Sequence, residues 1–422
     1  MRRFTLFKSY INLPRNVYIL FFADIINSAG SFVYPFLAMF LAIKLGYSEY
    51  VSGLFLTIVI MAEGLGKLMG GKLADWIGRK IVIIVLSVLG AAIYIIIAFI
   101  SESMLIPYLI ILAGFLKSGA FPAINALIID STNKGNRNDA FSLLYLGHNI
   151  GFAVGPLAAG FLFVNYINLI FLIDALTTLA ALIPIAFFVK ETLHAKTDFY
   201  PDNSTLNESE KAETGNVIKI FFRRPILYGF AFISIIFSFV YSQASFSLPL
   251  YLEDLFSTKG AKFFGTLMTV NAVIVIIMTI FLIAAMKKFN PIISIGFAGI
   301  LFAAGFGILF YSRFFYLFIV STIIWTFGEI INSVSSNVLV ANYSPMTHRG
   351  RFNAIISFIS GAGFAVGPVL TGIFVRYRGM KNVWPLTFYL SLFAAIMMGV
   401  LFLVEKKTLA KKNLNSGVKN GK

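Results

Sequence analysis

The chain has 422 residues, of which 59% are hydrophobic and only 12% charged, and a formal net charge of +16; its mean hydropathy is +0.87. A soluble globular domain is about one quarter charged, so a water-soluble enzyme or binding module is excluded. Cysteine is absent, which removes disulfides, thiolate metal sites and cysteine nucleophiles, and the three histidines (His148, His194, His348) show no metal-ligand spacing.

In chain order, apolar runs predict twelve transmembrane helices: 17–43, 51–70, 81–100, 104–129, 140–164, 167–189, 225–250, 263–286, 291–311, 314–340, 352–376 and 384–404. Each is near or above the roughly 20 residues that cross the hydrocarbon core as helix. The first run, from Val17, is too long for a signal peptide and has no small-residue cleavage site after it. Pro35, Pro122, Pro156, Pro184, Pro249 and Pro368 fall inside runs, where neighbouring helices can satisfy the freed backbone groups. Between the sixth and seventh runs, 190–224 carries six basic and six acidic residues and reads as a flexible polar linker. Its Asn203-Ser204-Thr205 pattern would be inert as a glycosylation acceptor in a cytoplasmic loop. The expected organisation is a six-helix bundle at 1–189, the linker 190–224, a second six-helix bundle at 225–404, and a basic tail at 405–422.

Charge placement sets the orientation. With both termini on one side, segments on that side hold 25 of the 34 Lys and Arg residues, and the opposite segments hold seven. Lys and Arg accumulate on the cytoplasmic side of membrane proteins, so a multi-pass cell-membrane protein with both termini cytoplasmic is expected. The positive charge therefore serves membrane topology, and no nucleic-acid partner is implied.

The two halves repeat. Gly-Phe-Ala-Val-Gly-Pro-Leu-Ala-Ala-Gly-Phe at 151–161 recurs as Gly-Phe-Ala-Val-Gly-Pro-Val-Leu-Thr-Gly-Ile at 363–373, an offset of 212 residues. The same offset aligns Arg137 with Arg349, Asn125 with Asn337 and Leu127 with Leu339. Two like-oriented six-helix halves imply a parallel repeat with a midplane binding site and alternating access. Gly151, Gly155, Pro156 and Gly160, with their counterparts Gly363, Gly367, Pro368 and Gly372, are small-residue positions for close helix packing.

Between the second and third runs the chain reads Gly71-Lys72-Leu73-Ala74-Asp75-Trp76-Ile77-Gly78-Arg79-Lys80. This resembles the signature loop of the major facilitator superfamily, G-x-L-x-D-x-x-G-R-K, at every fixed position. The resemblance implies an all-α membrane fold of two pseudo-symmetric six-helix bundles, and a charged latch formed by Asp75, Arg79 and Asp130 with Gly71, Gly78 and Lys80 shaping the loop. The second-half counterpart, Ala285-Met286-Lys287-Lys288-Phe289-Asn290, has lost the pattern. The fifth run, Gly147-x-x-x-Gly151-x-x-x-Gly155-Pro156-x-x-x-Gly160, resembles the motif of twelve-helix drug/proton antiporters. That group's fourth-helix motif places an Arg four residues before a Gly, and Phe115 stands there before Gly119.

Charges inside the runs carry a cost of about 2.5–3.5 kcal/mol or more each: Asp24, Glu63, Lys67, Lys117, Asp174 and Glu329. Lys117 and Glu329 are separated by the repeat offset and so occupy equivalent positions in the fourth and tenth runs, which line the central cavity in the family resembled. Glu329 is the leading candidate for binding a proton or cation, with a static pair to Lys117 as the plainer reading. Asp24, with Asn27, is the second cavity candidate. Glu63 and Lys67, spaced i, i+4, are expected to pair with each other, and Asp174 to lie on a peripheral helix. Aromatic residues including Tyr34, Phe237, Tyr241, Phe246 and Trp325 offer an apolar binding surface.

The sequence points to secondary active transport by a chain acting as a monomer, with a small-molecule substrate and protons as partners and the lipid bilayer as solvent. No P-loop, nucleophile–base pattern or metal cluster is present, so neither ATP hydrolysis, an enzyme, a metal nor a cofactor is implied. Proton-coupled efflux of amphipathic molecules of the multidrug type leads. The alternatives are transport of another solute (sugar, amino acid, metabolite or lipid) and a non-transporting membrane sensor.

Overall fold

The computed structural model describes residues 10, 12–100, 103–133, 136–193, 217–286, 288–344 and 349–417. The sequon at Asn203, most of the linker, His194 and His348 lie outside the described residues.

Those residues are all-helical apart from turns and short connections. The first half contains α1 (Arg15–Ala29), α2 (Val33–Met39) with a π-turn at Phe40–Lys44, α3 (Glu49–Ile77), α4 (Arg79–Phe99), α5 (Ile106–Ser131), α6 (Arg137–Leu162) and α7 (Ile167–Phe188). After the short α8 (Val217–Phe222) come α9 (Pro225–Ser242), α10 (Ser247–Phe256), α11 (Gly260–Met286), α12 (Pro291–Ile308), α13 (Phe315–Tyr343), α14 (Arg349–Arg378) and α15 (Val383–Gly417). Counting α1–α2 and α9–α10 each as one crossing gives twelve span-length segments among the described residues. Ten stretches pass a length-and-hydropathy test for membrane crossing; one of them, Pro225–Met286, holds two crossings. The more polar α6 falls outside that test, yet its 26 residues reach about 39 Å at 1.5 Å per residue.

The repeat is visible in the helix ends. Adding 212 to the starts of α4 and α6 gives the starts of α12 and α14, and adding it to the end of α5 gives the end of α13.

Three runs differ from the sequence expectation. The first is broken at Gly30–Phe32 and the seventh at 243–246, and the last continues as helix to Gly417. Proline explains the first two. Pro35 and Pro249 have no N–H for the carbonyl four residues earlier, so the chain opens just upstream of each. Asp174 satisfies the first break: its Oδ2 accepts from the Phe32 N–H (3.1 Å) and the Val33 N–H (3.2 Å).

The helices form two compact units that cut across the repeat. Unit 1 is Met1–Phe199 with Ser245–Ile276 and Pro368–Arg376; unit 2 is Tyr200–Ala244, Ile277–Gly367 and Tyr377–Lys422. Within unit 1, α3 packs on α5, α1 on α6 and α7, and α4 on α5 and α7. The α3–α5 crossing depends on absent side chains: a Cβ on Gly66 would stand 2.0 Å from the Phe115 carbonyl oxygen, and one on Gly70 1.9 Å from that of Gly119. Such contact gives helices in lipid their attraction, since apolar burial supplies none there. In unit 2, α12 packs on α13 and α15, and α9 on α15. The side bearing the α3–α4 turn is called the basic side below, and the opposite one the far side.

Candidate functional site

On the basic side, Gly78 turns the chain between α3 and α4 at φ +112°, a conformation open to glycine at little cost. A Cβ there would also lie 2.6 Å from Glu191 Oε2. The turn brings three sequence candidates together. Arg79 Nη2 lies 3.3 Å from Asp75 Oδ1, and Arg79 Nε donates to Asp130 Oδ2 at 3.1 Å. The Arg79 side chain is 13% exposed and Asp130 21%, whereas Asp75 is 75% exposed, so the Arg79–Asp130 contact is the less screened of the two. Gly71 packs loosely near Pro122 Cβ at 3.6 Å, and Lys80 contributes its backbone N–H.

Two further residues complete this cluster. Glu191 accepts the backbone N–H of Arg79 (2.9 Å) and Lys80 (3.0 Å), the first turn of α4, as well as those of Thr192 and Leu193. Burial acts to raise the Glu191 carboxyl, but these N–H bonds outweigh it and hold it below the ordinary carboxylate value. Thr192 Oγ1 donates to Asp130 Oδ2 at 2.9 Å, tying the chain after α7 to the Arg79 cluster.

The second half lacks the charged loop yet keeps a tie at the same place. Asn290, which stands at the repeat position of Gly78, donates to Glu405 Oε2 at 2.8 Å and caps α12 through Ile292 N. The Tyr343 hydroxyl donates to Glu405 Oε1, and Arg224 Nη1 donates to the Tyr343 carbonyl at 2.6 Å.

Unit 1 encloses a cavity of about 580 Å³ whose lining includes Asp24, Asn27, Ser28, Lys117 and His148. Asp24 faces His148, with Oδ1 and Nδ1 3.9 Å apart and the Ser28 hydroxyl between them, 3.3 Å from Oδ1 and 2.9 Å from Nδ1. Asn27 Oδ1 accepts from Thr178 Oγ1 at 3.0 Å. Lys117 Nζ is 2.5 Å from Asp174 Oδ1, with Asp174 3% exposed, and lies 4.7 Å over the Tyr94 ring. Asp174, expected to be peripheral, therefore holds both the cavity lysine and the break in the first span. The expected Glu63–Lys67 pair does not form within 4 Å; Lys67 Nζ lies 5.9 Å over the Phe121 ring instead. Tyr34 is 37% exposed and lines no part of the cavity.

Unit 2 encloses a cavity of about 380 Å³. Glu329 on α13 lines it, and its Oε1 accepts the Tyr241 hydroxyl of α9 at 2.8 Å. Phe237, Phe302 and Phe364 form apolar walls, while Ser234, Ser238, Asn332, Ser333, Ser336 and Asn337 supply side-chain oxygens. Trp325 does not reach this cavity: it is 1% exposed, stacked on Phe306 at 9°, with Tyr241 edge-on to it. Phe246 is likewise fully buried and lines no part of it.

The glycine motifs make two kinds of contact. On α6, a Cβ at Gly151 would meet the Ile25 carbonyl of α1 at 2.5 Å, and one at Gly155 the Ala29 carbonyl at 3.0 Å; on α14, a Cβ at Gly363 would meet the Ile235 carbonyl of α9 and one at Gly367 the Ser242 hydroxyl, each at 2.1 Å. At the far-side end the partners change. A Cβ on Gly265 of α11 would stand 2.3 Å from the Pro156 carbonyl, and one on Gly53 of α3 2.3 Å from the Pro368 carbonyl. Gly160 meets Ala261, and Gly372 meets Glu49, each at 2.7 Å. Every member of one seam is the repeat mate of a member of the other, and both seams lie inside unit 1.

Sequence reasoning missed His148, Glu191, Glu405, Gly53 and Gly265, and placed Asp174 at the periphery. The 212-residue offset pairs Gly53 with Gly265 and so could have found them; the others come together only through long-range packing.

Comparison with known proteins agrees with this architecture. The chain matches the family model described as Major Facilitator Superfamily over residues 19–340 and 259–420. It is 25% identical to a Na(+), Li(+), K(+)/H(+) antiporter of Planococcus maritimus, over 81% of this chain and 85% of that protein. It is 27% identical to a multi-drug resistance efflux pump PmrA homolog of Lactococcus lactis, over 62% of this chain and 64% of the pump. A crystal structure of a mutant peptide transporter POT in complex with alafosfalin superposes with TM-score 0.74 at 16% identity, covering 94% of this chain and 96% of that one, which is a likeness of fold. From the signature turn, the helical repeat and the family match over nearly its whole length, the chain belongs to the Major Facilitator Superfamily and is a multi-pass membrane transporter.

Proposed function

We propose that this protein exports cationic amphipathic small molecules across the cell membrane in exchange for protons, with both termini in the cytoplasm. The observation that carries the reading is Glu329. It is a carboxylate oriented by the Tyr241 hydroxyl at 2.8 Å in a cavity with aromatic walls. A delocalised cation there gains both charge attraction and contact with aromatic faces. A carboxylate that holds either a proton or a cation, but not both, couples the two by competition. In such a one-for-one exchange of a proton for a monovalent cation no net charge crosses, so the pH difference drives it, about tenfold in cation gradient for each pH unit.

Alternating access would come from the two halves, 1–189 and 225–404, rocking about the midplane. The far-side seams Gly53–Pro368 and Gly265–Pro156 close one face. The Asp75–Arg79–Asp130 cluster acts as a latch, formed in one state and broken in the other. A charged contact with low exposure suits that role, because breaking it changes the balance of states by more than a screened surface pair would.

A second reading is alkali-cation/proton exchange. The eight serine and asparagine side chains lining the cavity with Glu329 form a hard-oxygen environment of the kind alkali cations take, and one relative is named for that exchange. Proteoliposomes carrying an internal pH dye separate the two. Proton movement on adding ethidium supports the first reading; movement on adding only sodium or potassium salts supports the second. A silent response to all of them refutes both.

A further inference from the structure

We propose that unit 1 carries a second proton-binding site, a His148–Ser28–Asp24 relay, distinct from Glu329. What the bound proton accomplishes rests on the antiport reading above; the existence of the site does not.

The three side chains come from facing helices, Asp24 and Ser28 from α1 and His148 from α6. Ser28 Oγ lies 2.9 Å from His148 Nδ1 and 3.3 Å from Asp24 Oδ1. One donor sequence satisfies all of them: Nδ1–H donates to Ser28 Oγ, and the Ser28 hydroxyl donates to the Asp24 carboxylate. In that arrangement Nε2 carries the free lone pair. The ring is 54% exposed and lines the cavity, so a hydronium in the cavity can transfer its proton to Nε2 and leave as water. The imidazolium then faces a carboxylate 3.9 Å away, and no hydrogen bond has to rearrange. Without Asp24 the same charge inside a membrane protein would be costly.

The glycine seam fixes this geometry. Gly147 and Gly151 flank His148 on α6 and bring that helix against Phe21, Ile25 and Ser28 of α1, with a Cβ at Gly151 only 2.7 Å from Ser28 Cβ. Phe152 stacks on the His148 ring at 19°. The motif that packs the helices thus sets the distance across the relay. Imidazole is also the side chain that ordinarily changes charge between pH 5 and 8.

The other titratable groups around the cavity leave the relay its own charge balance. From α5, Lys117 lines the same cavity, but its ammonium is held at 2.5 Å by Asp174 of α7 and sits over Tyr94 of α4. From α6, Tyr145 lines the cavity, and Asn27 and Thr178 beside it are neutral.

Diethyl pyrocarbonate tests the site, because it carbethoxylates only unprotonated imidazole nitrogen. In protein carrying His194→Gln and His348→Gln, His148 is the sole histidine, and its modification is followed by mass spectrometry of the His148 peptide. The relay predicts that the ratio of rates at pH 8 and pH 6 changes on Asp24→Asn, which removes the carboxylate facing the ring at 3.9 Å, and changes less on Ser28→Ala. The same ratio in the parent and both variants overturns the site. A parent protein that moves no protons with any cation, yet shows the Asp24-dependent ratio, leaves the site standing and refutes the antiport reading.

Discussion

Replacing Gly53 and Gly265 with alanine tests the idea that the far-side seams set the balance between conformations. Each added Cβ would stand 2.3 Å from a backbone carbonyl oxygen, that of Pro368 or Pro156, so a helix rather than a side chain has to move. Overpacking of this kind costs about 1–3 kcal/mol per site. Alanine also gains about 1 kcal/mol of helix propensity over glycine, but that gain is present in every conformation that keeps the helix and cancels in the equilibrium between them. The seam-closed state should therefore lose about 5- to 150-fold in relative population per substitution. Because the chain has no cysteine, spin labels can be placed on Phe161→Cys and Lys262→Cys without background. In the closed seam Lys262 Nζ lies 5.1 Å from the Phe161 ring. The expected result is a new long-distance population in Gly265→Ala and a larger one in the double variant. Gly64→Ala is the control, since nothing lies within 4 Å of a Cβ there. Unchanged distances in the double variant, or an equal change in the control, would refute the reasoning.

Three other outcomes follow from the geometry. Asp174→Asn leaves Lys117 without its partner at 2.5 Å and should lower stability in detergent by about 3–5 kcal/mol; adding Lys117→Met should recover much of that, and equal melting of wild type and the single variant would contradict it. Asp130→Asn should disturb the Arg79 cluster far more than Asp75→Asn, whose pair with Arg79 is screened at 75% exposure and worth about 0–1 kcal/mol; trypsin cleavage at the α3–α4 turn would rank them. Glu191→Gln should cost about 1 kcal/mol through lost capping of α4. Because the folded Glu191 carboxyl is held below its ordinary value of 4.5, its contribution is full above that value and fades as pH falls through the folded one. The wild-type advantage over Glu191→Gln should hence be present at pH 7 and shrink in acid, and a constant difference would count against the clamp.

Much of the fold was legible because a membrane helix must satisfy its own backbone and be apolar over a fixed length. The crossings and the 212-residue repeat follow from that constraint. The breaks at Gly30–Phe32 and 243–246 were not read, although Pro35 and Pro249 mark them, because prolines inside other helices such as Pro156 leave the helix continuous. The Asp75–Arg79–Asp130 cluster could be named from a motif because Asp75 and Arg79 stand four residues apart within one signature turn. Asp174 and His148 could not, since each gains its role from a residue more than 50 positions away. The Lys117–Glu329 equivalence is a register relation and is silent on partners: Lys117 is held by Asp174, and Glu329 accepts from Tyr241.

The most direct measurement is proton movement in proteoliposomes under an imposed pH gradient, on addition of ethidium, for wild type and Glu329→Gln. Expected is cation-dependent proton movement in wild type that disappears in Glu329→Gln while the variant remains folded by thermal melting. Undiminished proton movement in Glu329→Gln would contradict the placement of exchange at this carboxylate.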